Sequence, residues 1–394
     1  MVTPELVHER VEAHHPRTVE IRRHLHANPE LSFAETETAR FVADELDSLG
    51  IETVRGVGGN GVVGLIHGKS SDGRSGTRAL RADMDALPIE EVTGRPYGSQ
   101  HPGVMHACGH DGHTASLLTA AAVLADLRAE LSGTVKLLFQ PAEERVPGGA
   151  QAMIADGALQ APEVGVVFGQ HVNTELPAGT VGFNPGLSMA SADEIYVTVT
   201  GRGGHAAKPH QGRDPIAIAS ALIVSLQQLV SRNADPTVPS VLTFGRIIGN
   251  GAANVIPDSV ELDGTFRTVN EEWRAEALAA IESTARAICT GLGAEVSVTI
   301  KRGYPALVND ARTVAFARER ATAYLGADRV VDLPTAMWAE DFAYFAQNRP
   351  ACFYNLGVRN ESAGIVHPVH TPRFDLDEDA LRVGAGLLAW IALG

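Results

Sequence analysis

The alternation of apolar and polar positions divides the chain into three parts. Residues 3–49 carry two stretches of helical periodicity, separated at Asn28-Pro29, where proline forbids continuation. Short apolar runs at 62–67 (VVGLIH) and 77–82 (TRALRA), parted by a Gly/Ser/Asp loop, predict strands. The stretch 114–131 is rich in alanine and leucine, the strongest helix formers, and predicts a helix. Residues 134–140 (TVKLLFQ) and 164–169 (VGVVFG) predict buried strands, with a helix near 148–156 between them. Strands alternating with helices imply an α/β domain on a mostly parallel sheet.

The middle of the chain has another rhythm. Residues 192–200 alternate as a half-exposed strand does, and 214–232 are helical. Strands follow at 240–248 and 258–268, with Gly249-Asn250-Gly251 in the connection, then a helix at 271–291 and a strand at 294–302. This β-α-β-β-α-β order is that of a ferredoxin-like module. After Tyr304-Pro305 the first rhythm resumes. The expectation is one discontinuous α/β domain, residues 1–186 and 305–394, interrupted by an inserted α+β domain at 187–304.

Composition narrows the function classes. A length of 394 residues accommodates two domains of ~100–200 residues each. With 44% hydrophobic and 20% charged residues, global disorder is excluded. Lys plus Arg (32) against Asp plus Glu (47) gives a formal net charge of −15 with no basic tract, which disfavours a nucleic-acid partner. Three cysteines (Cys108, Cys289, Cys352) without a C-x-x-C pair argue against a disulfide scaffold and for a reducing compartment. The N-terminus lacks the apolar core of a signal peptide. The apolar run Val383 to Gly394 is shorter than the ~20 residues a bilayer span needs. A soluble, cytoplasmic protein without membrane association is expected.

The chemistry concentrates in His106-Ala-Cys108-Gly-His110-Asp111-Gly-His113, directly before the 114–131 helix. Thiolate and imidazole suit borderline-soft metals, and Cys108 with His110 can chelate one ion from a single glycine-bearing turn. Asp111 is placed to accept from an imidazole. A capping turn with incidental histidines is the bland alternative, and three histidines with a cysteine in eight residues weigh against it. Gln140-Pro-Ala-Glu143-Glu144 closes a predicted strand, where α/β folds concentrate ligand-bearing residues. Two adjacent carboxylates there can divide the work, one binding metal and the other taking a proton from water. A third strand runs into Gln170-His171, where the histidine reads equally as ligand or as a satisfied core residue. Gly56-Val-Gly58-Gly-Asn-Gly61 matches the dinucleotide-binding pattern, but VVGLIHG follows it instead of the helix that must receive pyrophosphate. The serine-hydrolase elbow is absent. Cys108 as a protease nucleophile is disfavoured by its crowding with histidines.

Eight spaced motifs then carry a resemblance: Arg22-Arg-His-Leu-His-Ala-Asn-Pro-Glu-Leu-Ser32, Arg81-Ala-Asp-Met-Asp-Ala-Leu-Pro88, the His106–His113 cluster, Pro141-Ala-Glu-Glu144, Gly204-His205-Ala206, Asn254-Val-Ile-Pro257, Glu340-Asp-Phe342 and His370-Thr-Pro372. Together they resemble the M20 metallopeptidase family and, within it, the aminoacylase branch of amidohydrolases. The resemblance implies a zinc-peptidase-like catalytic domain with an inserted ferredoxin-like dimerisation domain. It implies that Cys108, His110, Glu144, His171 and His370 bind two divalent metal ions (Zn, Mn, Co or Ni), with Glu143 as general base. It further implies that His205 reaches the partner subunit's active site and polarises the scissile carbonyl. Asn254 and Arg267 would hold substrate, and Asp85 would stand behind the ligands. Asp83, His113 and His367 would be neighbours of the site. Trp338 departs from the small residue usual before Ala-Glu-Asp-Phe; it would narrow the pocket or offer a stacking surface. The implied reaction is hydrolysis of the amide in an N-acyl amino acid by a homodimer. A dipeptidase or carboxypeptidase with the same metals, and a non-catalytic binder, are the competing readings.

Overall fold

A computed structural model describes residues 2–68 and 76–394. Most of the Gly/Ser/Asp loop expected after residue 67 lies outside the described residues. In chain order the first segment contains helices α1 (Pro4–Ala27) and α2 (Thr36–Ser48), then strands β1 (Glu52–Val57), β2 (Gly61–His67) and β3 (Thr77–Asp83). Helix α3 (His110–Asp126), β4 (Thr134–Gln140), α4 (Gly149–Ala155), β5 (Val164–Pro177), β6 (Val181–Phe183) and β7 (Gly186–Met189) complete it. The middle segment holds β8 (Asp193–Thr200), β9 (Gly204–His205), α5 (Pro215–Gln228), β10 (Ser240–Ile248), β11 (Val255–Ile256), β12 (Ser259–Thr268), α6 (Glu271–Gly291) and β13 (Glu295–Arg302). The last segment adds β14 (Leu307–Asn309), α7 (Ala311–Leu325), β15 (Val330–Asp332), α8 (Ala343–Asn348), β16 (Ala351–Arg359) and α9 (Ala380–Ala392).

These elements form two compact units. One comprises residues 1–188, 308–334 and 341–394; the other comprises 189–307 and the short segment 335–340, which carries Trp338. The first unit is built on an eight-stranded sheet in the order β1-β2-β4-β3-β5-β16-β6-β15. Its centre is parallel, from β4 through β3 and β5 to β16. The β1–β2, β2–β4 and β16–β6 pairings are antiparallel, so the sheet is more mixed than expected. The reason lies in the glycine pattern at 56–61, which closes a hairpin between β1 and β2; so short a connection permits only antiparallel pairing. Those glycines open no helix.

Helix α3 is buried on every face from His110 to Leu124, as a helix apolar all round must be. It packs between α1 and α9. It starts four residues earlier than the alanine-rich run suggests, so His110 is its first residue. Helix α1 runs unbroken through Pro16, with Val7, Val11, Ile21 and Leu25 turned into the core. Strand β5 continues past His171 to Pro177 because β16 pairs along it, Asn355 opposite His171.

The second unit is a four-stranded antiparallel sheet ordered β10-β12-β8-β13. Numbered by appearance this is 2-3-1-4, the ferredoxin-like arrangement. Ile195, Val197, Leu262 and Phe266 from the sheet meet Ile218, Leu222, Leu226 and Ile281 from α5 and α6. Burying each such side chain contributes about 1.5–3 kcal/mol. Residues 215–233 are long and apolar enough to cross a membrane by composition. Their buried positions, Ile218, Leu222, Leu226 and Leu229, recur at helical spacing on one face, which is the pattern of a helix against a protein core.

Candidate metal centre and active site

Parallel strands β4 and β3 deliver the chemistry at or beyond their C-terminal ends, where ligand-bearing residues gather in α/β folds, and β5 presents its ligand from mid-strand. From β3 comes Asp83, followed by Asp85. The loop after β4 supplies Glu143 and Glu144, and β5 carries His171. Cys108-Gly109 leads into α3 from the side, with His110 as the helix's first residue. Gly109 sits at φ 83°, and a Cβ there would lie 2.6 Å from Val172 Cγ2, so only glycine lets this turn approach β5. Gly149 plays the same part behind the glutamates, where a Cβ would meet Pro141 O at 1.9 Å. His370 arrives from the last segment, its N–H donating to Ala107 O at 2.7 Å.

The five residues implied as ligands converge. Cys108, His110 and His171 form one group whose ligand atoms lie within 4.8 Å of one another; Cys108, Glu144 and His370 form a second. Cys108 belongs to both. Its Sγ lies 3.3 Å from His171 Nε2, and Glu144 Oε1 lies 3.1 Å from His370 Nε2 and 3.8 Å from His110 Nε2.

The hydrogen bonds behind this cluster aim the lone pairs inward. His110 Nδ1 donates to the Asp85 carbonyl at 2.8 Å, and His171 Nδ1 donates to the Val172 carbonyl at 2.7 Å. With Nδ1 so engaged, each ring in its neutral form presents an unprotonated Nε2 to the cluster, which is the tautomer a metal ligand needs. His110 Nε2 and Glu144 Oε1 are buried yet make no hydrogen bond among the described residues. A buried imidazole nitrogen with no hydrogen bond, 3.8 Å from a buried carboxylate oxygen whose near neighbour is His370 Nε2 at 3.1 Å, is costly unless a ligand joins them.

Electrostatics favours a cation at this place. Burial disfavours charge on His110, yet Asp83, Asp85 and Glu144 outweigh it and raise its pKa to about 10. Burial and the neighbouring His113 push His171 down to about 3, keeping it neutral. Burial, together with Glu144, Glu143 and Asp83, holds the Cys108 thiol well above its usual pKa. A dication bound among these groups would reverse that balance, favouring neutral His110 and the Cys108 thiolate as ligands. The donor set of sulfur, imidazole and carboxylate thus fits divalent metal binding.

Other expectations are refined. Asp111 accepts from an imidazole, but that of His26 (2.8 Å), and from Arg22 (2.9 Å), tying α1 to the first turn of α3. Arg22 also donates to Asp375 at 2.8 Å, which gives the Arg22-Arg-His-Leu-His motif its role as a brace. His113 has both nitrogens engaged, Nδ1 with Asp83 Oδ1 at 2.6 Å and Nε2 with the Val172 N–H at 2.9 Å. It orients the backbone beside His171 and has no lone pair left for a metal. His367 is half-buried and joins no ligand group. Asp85 accepts from the Glu143 N–H (3.0 Å), the Glu144 N–H (2.9 Å) and Ser32 Oγ (2.6 Å), so it fixes the glutamate turn as well as His110. Arg81, Gln140 and Asp341 stand in the motifs above, but the sequence assigns them no role. They form a buried network, with Arg81 bonded to Asp83, Gln140 and Asp341.

In the second unit, His205 is exposed on β9, opposite Val255 of β11. Its Nδ1 accepts the Ala207 N–H at 3.1 Å, so the neutral ring carries its proton on Nε2. The Asn254 carbonyl holds the same turn by accepting from Ala206 N–H at 3.0 Å. Arg267 is half-buried without a carboxylate partner among the described residues, and burial lowers its pKa. It donates to Met337 O at 3.4 Å, beside the exposed indole of Trp338.

A parallel-sheet domain that gathers a thiol, imidazoles and carboxylates beside a buried glutamate defines a metal-dependent hydrolase. The chain belongs to Peptidase family M20/M25/M40, whose profile matches residues 79–393. It is 42% identical over 361 residues to an N-acetyl-L-cysteine deacetylase of Bacillus subtilis, covering 92% of this chain and 84% of that one. To thermostable carboxypeptidase 2 of Saccharolobus solfataricus it is 39% identical over 378 residues, covering 95% and 94%. The crystal structure of a dinuclear metal-binding M20-family peptidase from Bacillus subtilis matches with a TM-score of 0.81 at 36% identity, over 97% of this chain and 98% of that one.

Proposed function

We propose that the protein hydrolyses the amide bond of N-acyl amino acids, releasing a carboxylic acid and a free amino acid. The observation that carries this reading is the convergence of Cys108, His110, Glu144, His171 and His370, with His110 Nε2 buried and without a hydrogen bond, beside the buried carboxyl of Glu143. These five residues would hold two divalent cations (Zn, Mn, Co or Ni), which when bound lower the pKa of water and polarise a carbonyl oxygen. Glu143 takes the proton from the attacking water and returns it to the leaving nitrogen, so the amine departs neutral. Asp85 keeps the Glu143 and Glu144 amides in register during that exchange. Arg267 and Asn254 are assigned to holding the substrate, Arg267 through its carboxylate.

The similarity to a carboxypeptidase supports a second reading, cleavage of peptides by the same centre. A panel of hippurate and N-acetyl amino acids assayed beside dipeptides separates the two. Turnover of the acylated amino acids is expected to exceed that of the dipeptides, and the reverse order would select the peptidase reading.

His205 is assigned to the partner subunit's site, donating from Nε2 to the scissile carbonyl oxygen as charge develops there. A homodimer through the inserted unit is supported by the unpaired edge strand β10, with Val241 and Ile247 exposed, and by the apolar exposed face of α5 at Ile216 and Val224. The test is complementation. His205→Ala and Glu143→Ala homodimers are each expected to be inactive. Dimers re-formed from an equal mixture should recover about a quarter of wild-type activity, because half are mixed and each mixed dimer has one intact site of two. No recovery on mixing, or an active monomer in sedimentation, would reject the shared site.

A further inference from the structure

The turn that carries Glu143 is held in left-handed backbone by one buried carboxylate outside the ligand cluster. Ala142 has φ 54° and Phe33 has φ 68°, a region where the Cβ crowds the carbonyl oxygen. Strained residues of this kind persist only where the surroundings over-determine them. Both N–H groups donate to the same atom, Glu35 Oε1, from 2.9 Å (Phe33) and 2.7 Å (Ala142). Asn60 Nδ2 donates to Glu35 Oε2 at 3.2 Å. Glu35 is fully buried, and all three of these partners are donors, so the carboxyl acts as an acceptor throughout.

The arrangement is a two-carboxylate clamp. Asp85 accepts from Ser32 on one side and from Glu143 and Glu144 on the other. Glu35 repeats this one residue along, spanning Phe33 and Ala142. The segment after α1 is thereby sewn to the loop after β4 at successive positions, through carboxylates that touch no ligand atom of the cluster. Asp85 sets the amides of the two glutamates, and Glu35 sets the residue before them, whose φ decides where the Glu143 Cα–Cβ bond points.

We propose that Glu35 is a positioning residue for hydrolysis: it locks Ala142 in the left-handed region so that the Glu143 carboxylate faces the attacking water. This rests on the reading of Glu143 as the general base. Because Glu35 reaches neither substrate nor ligand, its loss misplaces the base without emptying the site. A misplacement on the scale of an ångström costs about 10²-fold in rate.

The experiment compares Glu35→Ala, Glu35→Gln and Glu35→Gln/Asn60→Asp in the full-length, metal-loaded enzyme. It measures kcat and KM on N-acetyl amino acids, metal content per chain, and thermal midpoint. Glu35→Ala is expected to lose about 10²-fold in kcat at unchanged KM and metal content. Glu35→Gln keeps the shared acceptor but sets its NH2 against that of Asn60, so it falls between. The double variant gives that NH2 an acceptor and should recover most of the loss. A purely structural staple would lower the thermal midpoint and leave kcat per folded, metal-loaded chain at the wild-type value; that result overturns the proposal, as does a double variant no better than Glu35→Gln. If Glu35→Ala does not fold, the glutamine pair still decides. Glu143→Gln is run in parallel: retained turnover there removes the reading beneath the proposal, whereas lost turnover there with Glu35→Ala unimpaired removes the clamp alone.

Discussion

A Glu143→Ala variant is expected to keep its metal and lose turnover by roughly 10²–10⁴-fold, the contribution of a positioned general base. The expectation follows from where the side chain sits. Glu143 is buried, its amide is fixed by Asp85 at 3.0 Å, and it stands next to Glu144 without belonging to the group formed by Cys108, Glu144 and His370. It does share a group with His110 and Glu144, so role as ligand and role as base predict different results. A ligand removed takes metal with it, while a base removed leaves the stoichiometry intact. Metal analysis of the purified variant beside its kcat therefore decides. Loss of metal would move Glu143 into the ligand set, and unimpaired turnover would deny it any part.

Chelation should abolish activity, and readdition of a divalent metal should restore it. Cys108→Ser is expected to do permanently what the chelator does reversibly, because Cys108 belongs to both ligand groups and one substitution weakens two ions. The loss should exceed the roughly 10–100-fold that follows from removing a partner behind the ligands. Stripped protein should also melt earlier than loaded protein, since an ion that binds only the folded chain stabilises it by mass action. The buried site adds a specific reason. Without the ion, His110 Nε2 remains desolvated without a hydrogen bond, among the crowded buried carboxylates of Asp83, Asp85 and Glu143. The check is a thermal scan with and without chelator together with metal content. Full activity after complete metal removal would end the two-metal reading.

Much of this site is legible in the sequence because its members cluster or fall at strand ends. Cys108 and His110 are one glycine apart, and Glu143-Glu144 closes an apolar run. His171 is a different case. The apolar run into it suggests a strand end, whereas β5 continues to Pro177 because β16, from the far end of the chain, pairs alongside. Spacing also cannot rank the histidines of the cluster. His110 and His113 are three residues apart on one helix face, and what separates ligand from support is which nitrogen meets which neighbour. Glu35 had no local signal at all. Its two amide partners lie at 33 and 142, and only the left-handed backbone there reveals that one oxygen serves both.

What the sequence alone determined is whatever depends on local order. Apolar periodicity set the alternation of strands and helices, the ferredoxin-like insert followed from element order, and eight motifs in register carried the family. Tertiary structure decided everything that depends on which distant segments meet: the antiparallel flanks of the large sheet, the aim of the His110 and His113 imidazoles, and the clamp behind the base. The physical reason is range. Helix and strand preferences are written within a few residues, while the bonds that aim His110 and hold Ala142 join residues 25 and 107 positions apart; His171, aimed by its neighbour Val172, needs β5 to bring it to the site.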